Sequence, residues 1–399
     1  MNFSGLYRFL TYVPLRLLSP LALSEVPKEK VDVWVHCASL GEVMAAKPIV
    51  DKFLERGMKL LISVFTKSGF QKALKLWPYG ATVIRFPMDS YYHLKRIVES
   101  TKPDVFVNLE TELWPNLIYV VAKNRIPAYL INARISEKNF KRSRLLKGTY
   151  STMLRSFTKI FAQSECDAQR LERLGAPREI IQVVGNIKID SACAYETGLT
   201  REDLGIAQEK FVILFASVRE REEDLIINLT ERIIRELSGC QVILAPRHVE
   251  RVPEIAKELN KRKLEYTLWS KYEGVFENIV LIDTLGELQR FYGVVDVVIM
   301  GGTFASYGGH NILEPLAFGK TVIVGPYIYN IKDDVTQLLD KGGILRVRTA
   351  NDIFELIERI SKDRSTLQLI GNRAREWLNS KQGISKKIFE EILLNFEKR

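Results

Sequence analysis

The sequence predicts two doubly wound α/β domains in tandem, on three observations. The chain has 399 residues, enough for two domains at roughly 150 residues each. Short continuous apolar runs alternate with amphipathic segments, as strands buried on both faces of a parallel sheet and their crossover helices require. The alternation stops at residues 186–205, NIKIDSACAYETGLTREDLG, where no convincing strand is found, and then restarts.

Taken in order, the expected strands of the first half are 31–36, 59–65, 81–86, 104–109, 127–132, 159–163 and 180–185, with 43–56 and 69–76 as crossovers. Those of the second half are 210–217, 240–246, 264–269, 278–283, 295–300 and 320–325. The expected domains are therefore 31–190 and 206–375, joined near 187–205, with residues 376–399 forming a C-terminal helix that packs back on the first domain. Ligands of such sheets bind beyond the carboxyl ends of the strands, and with two domains the expected site is the cleft between them.

Ahead of the first strand, residues 3–24 read FSGLYRFLTYVPLRLLSPLALS. Arg8, Pro14, Arg16 and Pro20 break the apolar run, which suits neither a spanning helix nor a secretory signal. Residues 1–30 are expected to lie in the headgroup region of a membrane with the arginines snorkelling outward. A helix packed on the protein's own core is the alternative.

Composition bounds the chemistry. With 46% hydrophobic and 27% charged residues the chain is a folded globular protein and not a disordered or low-complexity one. Cys37, Cys166, Cys193 and Cys240 lie far apart without a C-x-x-C, which points to a reducing compartment. His36, His93, His248 and His310 form no H-E-x-x-H, no two aspartates stand two apart, and no bound metal is expected. There are 58 Lys and Arg against 48 Asp and Glu, a net charge of +10. Such a surplus fits nucleic acid, an anionic membrane or a phosphorylated substrate.

The segments that follow the strands carry the candidate chemistry. Strand 31–36 runs into HCASLGEV, setting Glu42 at the start of a helix, where it is placed either as a general base or as a carboxylate that complements the helix dipole. Strand 104–109 ends in ETELWPN. Glu110 and Glu112 are expected on one side of an extended segment, close enough for one pKa to rise, or else paired with an arginine of the basic stretch that follows. After strand 180–185 comes GNIKID with Lys188, by itself an ordinary surface lysine.

In the second half, strand 210–217 exits into ASVREREED, where Ser217, its neighbouring amides and Arg219 make a candidate phosphate seat or an ordinary helix start. Strand 240–246 exits into PRHVER, placing Arg247 beside His248. DTLGEL follows at 283–288. GGTFASYGGHNILEPLAFGK then holds two glycine pairs that allow close backbone approach to a phosphate. Glu314 suits a ribose hydroxyl, although Asn311 and Glu314 are also spaced as a capping box. No G-x-G-x-x-G follows the first strand, which counts against a nicotinamide dehydrogenase.

S-x-G-E at 39–42, ETELWPN at 110–116, NARIS at 132–136, GNIK at 185–188, PRH at 246–248, DTLGEL at 283–288 and GGHNILEP at 308–315 occur in one order over most of the chain. Together they resemble the 3-deoxy-D-manno-octulosonic acid (Kdo) transferases of lipopolysaccharide biosynthesis, and the last block resembles the donor signature of GT-B glycosyltransferases. The resemblance implies a GT-B fold, two Rossmann-like domains facing across a cleft, an inverting and metal-independent transfer, a CMP-Kdo donor on the C-terminal domain, and a lipid A precursor (lipid IVA) on the N-terminal one. No further cofactor is implied.

It also implies that Glu42 is the general base and that Glu110 and Lys188 assist the transition state. CMP contacts carry over to Pro246, Arg247, Leu285, Gly286, Glu287, Asn311, Ile312, Leu313 and Glu314. A departure is SVREREE at 217–223, where such enzymes often carry a Ser-Thr or Ser-His pair. The implied location is the cytoplasmic face of the inner membrane, peripheral or monotopic. The rival readings are a GT-B glycosyltransferase or epimerase that uses a UDP-sugar, and a non-catalytic nucleic-acid-binding protein. The last requires a recognisable module of basic residues interleaved with stacking aromatics, and none is found.

Most of the charge is local. Residues 121–160 hold ten basic residues and one acid, Glu137. Leu145, Leu146, Tyr150, Met153, Leu154 and Phe157 are interleaved with them. The stretch is expected to meet lipid A phosphates and an anionic membrane surface together, with a solvated basic helix as the alternative.

Overall fold

The computed structural model describes residues 27–193, 198–274, 276 and 278–397. The expected membrane segment, up to residue 26, lies outside the described residues. Two compact units are present, one formed by the chain up to Ser191 with Gly383 onward, the other by Ala192–Gln382.

In the first unit seven strands form one sheet: β1 (Val33–Cys37), β2 (Leu60–Val64), β3 (Ala81–Arg85), β4 (Val105–Leu109), β5 (Ala128–Ala133), β6 (Lys159–Ala162) and β7 (Ile181–Val183). Their order is β3-β2-β1-β4-β5-β6-β7, all neighbours parallel. Alternate residues serve opposite faces: Val33, Val35 and Cys37 enter one core with Ile62 and Ile131, and Trp34 enters the other with Phe106 and Leu130. Chain order reverses between β1 and β4, which pair with His36 opposite Asn108. The segments leaving these two strands therefore emerge side by side at a topological switch point.

The second unit repeats the plan with β8 (Phe211–Val218), β9 (Cys240–Pro246), β10 (Thr267–Leu268), β11 (Ile279–Leu281), β12 (Val297–Met300), β13 (Thr321–Val324) and β14 (Leu345–Arg346). Its order is β10-β11-β9-β8-β12-β13-β14, and the switch point falls between β8 and β12. Each strand expected from an apolar run coincides with an observed one. Several are trimmed at their ends, and two edge strands depart further. The expected 264–269 shrinks to the half-buried edge pair Thr267–Leu268, and the two-residue edge strand Leu345–Arg346 was not expected at all.

The expected boundary at 376 also needs correction. It cuts the helix Arg364–Asn379, whose buried Leu367 belongs to the second unit's core. The chain re-enters the first unit at Gly383. There the helix Ile384–Glu397 packs Ile384, Ile388, Phe389 and Ile392 into the core that holds Val33 and Val35.

Candidate active site

Beyond β1 the chain makes one tight connection into the helix Leu40–Glu55. Ser39 caps that helix, its Oγ accepting from the Glu42 amide at 3.3 Å and donating to Glu42 Oε1 at 2.9 Å. Glu42 Oε2 accepts from the Ala38 amide at 2.7 Å. The first-turn carboxylate considered as the alternative to catalysis is thus present, and the Ser39 cap aims it. Glu42 is 5% exposed. Burial first, and the charge of Glu110 second, push its pKa up to about 7 against the two hydrogen bonds that favour the anion. A carboxylate titrating there is half ionised near neutrality, where a general base works best.

Glu110 follows β4 in the left-handed region, φ 52°. The expected extended segment is therefore a turn, because Glu110 reverses the chain and Leu113 N closes on Thr111 O at 3.0 Å. Asn108 Nδ2 spans the turn, donating to the carbonyls of Glu110 (3.3 Å) and Glu112 (3.2 Å). Glu112 is nevertheless raised as expected for a crowded carboxylate, by burial and then by Glu110. The expected arginine partner is not used: Glu110 Oε1 meets Lys188 Nζ at 2.6 Å.

Asn132 ties this pair to the neighbouring strand. It lies within β5 at an irregularity of the strand, φ 57°, reaches Glu110 Oε1 through Nδ2 at 3.4 Å, and accepts the Ile187 amide on Oδ1 at 3.0 Å. Thr111 Oγ1 donates to the Arg134 carbonyl. Glu42, Glu110 and Lys188, distant in sequence, are thereby assembled at the switch point of one sheet. Beneath them the fully buried Cys37 thiol is raised by burial, then by Glu42 and Glu110, and stays protonated. His36 is buried, held down to about 3 by desolvation, with Nδ1 2.9 Å from Ser63 Oγ.

In the second unit the segments beyond β8, β9 and β12 bring arginine and histidine side chains together. Arg219 Nη1 lies 2.9 Å from His248 Nε2, and its guanidinium stands 4.4 Å from the Tyr307 ring centroid. His310 is depressed to about 4 by burial first, then by Arg247, Arg219 and His248. Arg247 is exposed, and its amide donates to Val218 O at 2.8 Å. Two guanidiniums and two imidazoles, His310 held neutral, thus share one neighbourhood with Glu220, which lies 3.4 Å from Arg219 Nε and 3.8 Å from His248 Nε2.

The phosphate seats expected from Arg219's amide and from Gly301-Gly302 are occupied by the chain itself. Glu222, 1% exposed, accepts from the amides of Arg219 (3.0 Å) and Gly302 (2.7 Å) on Oε2. Its Oε1 accepts from Phe304 (2.7 Å) and Ala305 (3.2 Å). The helix itself begins only at Glu223. The second pair has a packing role, because a Cβ on Gly308 would collide with the Tyr329 ring.

The other carried-over positions are locally held. Leu285 is 73% exposed, Gly286 has φ 85°, and Glu287 pairs with Arg290 at 2.5 Å. Pro246 ends β9 opposite Val218. Asn311 Oδ1 accepts from Leu313 N at 3.1 Å and its Nδ2 donates to Glu314 Oε1 at 2.9 Å. The helix Leu313–Ala317 has Ile312 as its cap residue, so Asn311 sits one residue before the capping-box position. Ile312 and Leu313 are buried.

The basic stretch is also redrawn. Met153, Leu154 and Phe157 belong to the core and Tyr150 packs against it, whereas Leu145 is 85% and Leu146 43% exposed. Lys138, Lys141, Arg142, Arg144, Lys147 and Arg155 surround them at the surface. Among the described residues no helix is long and apolar enough to cross a membrane, and no three His, Cys, Asp or Glu side chains are grouped to hold a metal ion.

Residues 15–191 match the family model described as 3-deoxy-D-manno-octulosonic-acid transferase (kdotransferase). A 3-deoxy-D-manno-octulosonic acid transferase of Bordetella pertussis is 30% identical over 90% of this chain and 86% of its own length. A bifunctional glycosyltransferase/methyltransferase of Fusobacterium nucleatum is 32% identical over 92% of this chain, which spans 58% of that longer protein. Among solved structures, a putative UDP-N-acetylglucosamine 2-epimerase of Listeria monocytogenes aligns with a TM-score of 0.67 over 93% of this chain and 98% of its own, at 12% identity. That likeness shows the GT-B architecture.

Proposed function

The chain belongs to the 3-deoxy-D-manno-octulosonic acid transferase family, and from that premise we propose that it moves Kdo from CMP-Kdo to a lipid A precursor, lipid IVA, with inversion. The observation that carries the reading is Glu42, a buried carboxylate pushed up to about 7 and fixed by Ala38 and Ser39 beside Glu110. Glu42 takes the proton of an acceptor sugar hydroxyl as that oxygen bonds to the anomeric carbon of Kdo. The bond from that carbon to the phosphate oxygen breaks, and CMP leaves with the electron pair. Positive charge develops on the sugar in the oxocarbenium-like transition state, and negative charge on the leaving phosphate.

Glu110 supplies a second carboxylate near Glu42. Lys188, 2.6 Å from it, fixes its orientation and brings a cation to the acceptor's side of the chemistry. In the second unit Arg219, Arg247 and His248 are the groups we assign to the anionic donor, with Asn311 and Glu314 supplying polar contacts to its nucleoside. The exposed Leu145 and Leu146 with their basic neighbours suit a peripheral position on an anionic bilayer, which is where a lipid acceptor resides. The cytoplasmic face of the inner membrane follows from that acceptor.

The test is Glu42→Gln, assayed with CMP-Kdo and tetraacylated lipid A precursor, products being counted by mass. Transfer is expected to fall by ~10³-fold or more, the upper part of the range for general-base loss together with lost positioning, while CMP binding by calorimetry is retained. Near-normal turnover overturns the assignment of the base.

A further inference from the structure

We propose that Asp190 is a positioning residue for Lys188, through which the last helix of the chain sets the Glu110–Lys188 pair; the inference rests on the catalytic reading above. Both residues lie on the short helix Lys188–Cys193. Lys188 reaches Glu110, and Asp190 reaches the opposite end of the sequence. Its Oδ1 accepts from the Gly383 amide at 2.8 Å and its Oδ2 from the Ser385 amide at 2.6 Å. A carboxylate supplied from a distant part of the sequence thus caps the helix Ile384–Glu397, whose first amides have no intrahelical partner and whose dipole favours an anion at that end.

That helix is a firm anchor. Ile384, Ile388, Phe389 and Ile392 are core residues, Phe389 meets Phe53 edge-on at 5.1 Å, and Glu391 pairs with Lys159. It also presses on the turn that delivers Lys188. Gly185 has φ 102°, and a Cβ there would stand 2.9 Å from Ile384 Cδ1. The Lys188 helix has two further tethers: the Ile187 amide on Asn132 Oδ1, and Ser191 Oγ on the carbonyl of Ala45 at 3.3 Å, in the helix that carries Glu42. With both oxygens occupied by backbone amides, Asp190 has no role in proton transfer. Its effect is to hold a flexible lysine's backbone where the ammonium meets Glu110.

The charged groups that act on Glu42 are Glu110 and Glu112, with the protonated Cys37 beneath. Lys188 offsets Glu110, so its displacement strengthens the repulsion felt by Glu42 and moves the base to higher pKa.

The test compares Asp190→Ala and Asp190→Asn with Ile392→Ala, which weakens the same helix without touching its cap, and with Lys188→Ala. All are assayed below their melting temperatures with CMP-Kdo and tetraacylated lipid A precursor. For Asp190→Ala we expect kcat to fall ~10-fold or more at a nearly unchanged KM for CMP-Kdo, and the acidic limb of kcat/KM to move to higher pH. Asp190→Asn, which keeps one acceptor oxygen, falls between. Ile392→Ala melts lower and keeps both kcat and the limb. The proposal is overturned if Asp190→Ala keeps wild-type kcat and limb, or if Ile392→Ala reproduces its losses. A fully active Lys188→Ala instead overturns the catalytic reading on which the proposal rests.

Discussion

Glu42 is gripped by groups that favour its anion and pressed by groups that oppose it. The Ala38 amide and Ser39 hydroxyl stabilise the carboxylate, yet burial and Glu110 prevail and raise its pKa from 4.5 to about 7. The folded state then holds an extra proton between those two values. The penalty of ionising Glu42 is absent below pH 4.5, grows as pH rises, and is complete above about 7. Glu42→Gln is therefore expected to melt no lower than the parent at pH 8 and to lose that advantage towards pH 5, while transfer is abolished at both. Calorimetric melting at the two pH values decides it, and a variant several degrees lower at pH 8 would show that the capping bonds outweigh the buried charge. Glu222 is the opposite case, a buried carboxylate satisfied by four backbone amides. Glu222→Ala strands those donors, and a loss of ~2 kcal/mol or more is expected in denaturant unfolding. These residues differ in how legible they are. Glu42 and Glu110 stand out because carboxylates at the ends of buried strands are conspicuous. Lys188 does not, since nothing local announces a partner on another strand. Glu222 sits in a run of acids whose members look alike until the loop beyond β12 closes over one of them.

At the scale of elements, the buried strands were legible because both faces of each sheet are covered, which forces continuous apolar runs. Where cover ends the signal ends. Thr267–Leu268 and Leu345–Arg346 are edge pairs whose residues are half-buried or exposed, so their composition no longer separates strand from loop. The turn at Glu110 was misread as extended because its left-handed φ of 52° goes with contacts from elsewhere in the chain, Asn132 and Lys188, beside the local bonds of Asn108. The helix Arg364–Asn379 shows how a single position can override propensity. In a free helix Gly371→Ala would gain about 1 kcal/mol. Here a Cβ on Gly371 would overlap the carbonyl of Gly319, which sits in the turn before β13, and a backbone atom yields far less than a side chain. Overpacking costs about 1–3 kcal/mol, so the balance is negative. Gly371→Ala is expected to lower the melting temperature while leaving the pH dependence of transfer unchanged, and a stabilised variant would refute the close approach.

At the scale of the whole molecule the charge surplus is a matter of address. Of the net +10, residues 121–160 carry +9, and the fold turns much of that stretch outward. The helix Glu137–Ser143, the turn Arg144–Leu146 and the helix Lys147–Leu154 bury Phe140, Met153 and Leu154. Lys138, Lys141, Arg142, Arg144 and Lys147 remain outside, beside the exposed Leu145 and Leu146. The sequence alone suggested a broader apolar face, because core and surface leucines look the same until the helices are placed. The Lys141–Glu137 pair, at 2.8 Å, is itself at the surface and is worth little in water, and Glu137 is the one acid set against ten basic residues. A basic residue near an anionic leaflet contributes about 1 kcal/mol. Neutralising two of them, Arg142→Gln with Arg144→Gln, is thus expected to weaken binding to phosphatidylglycerol vesicles roughly 30-fold. Leu145→Ser with Leu146→Ser should weaken it further and without steepening its salt dependence, because apolar insertion is not screened. Neither pair should alter turnover of a deacylated, water-soluble acceptor. Sedimentation with vesicles at two salt concentrations, run beside that assay, separates a membrane-facing surface from a merely solvated one: in the second case vesicle binding stays where it was.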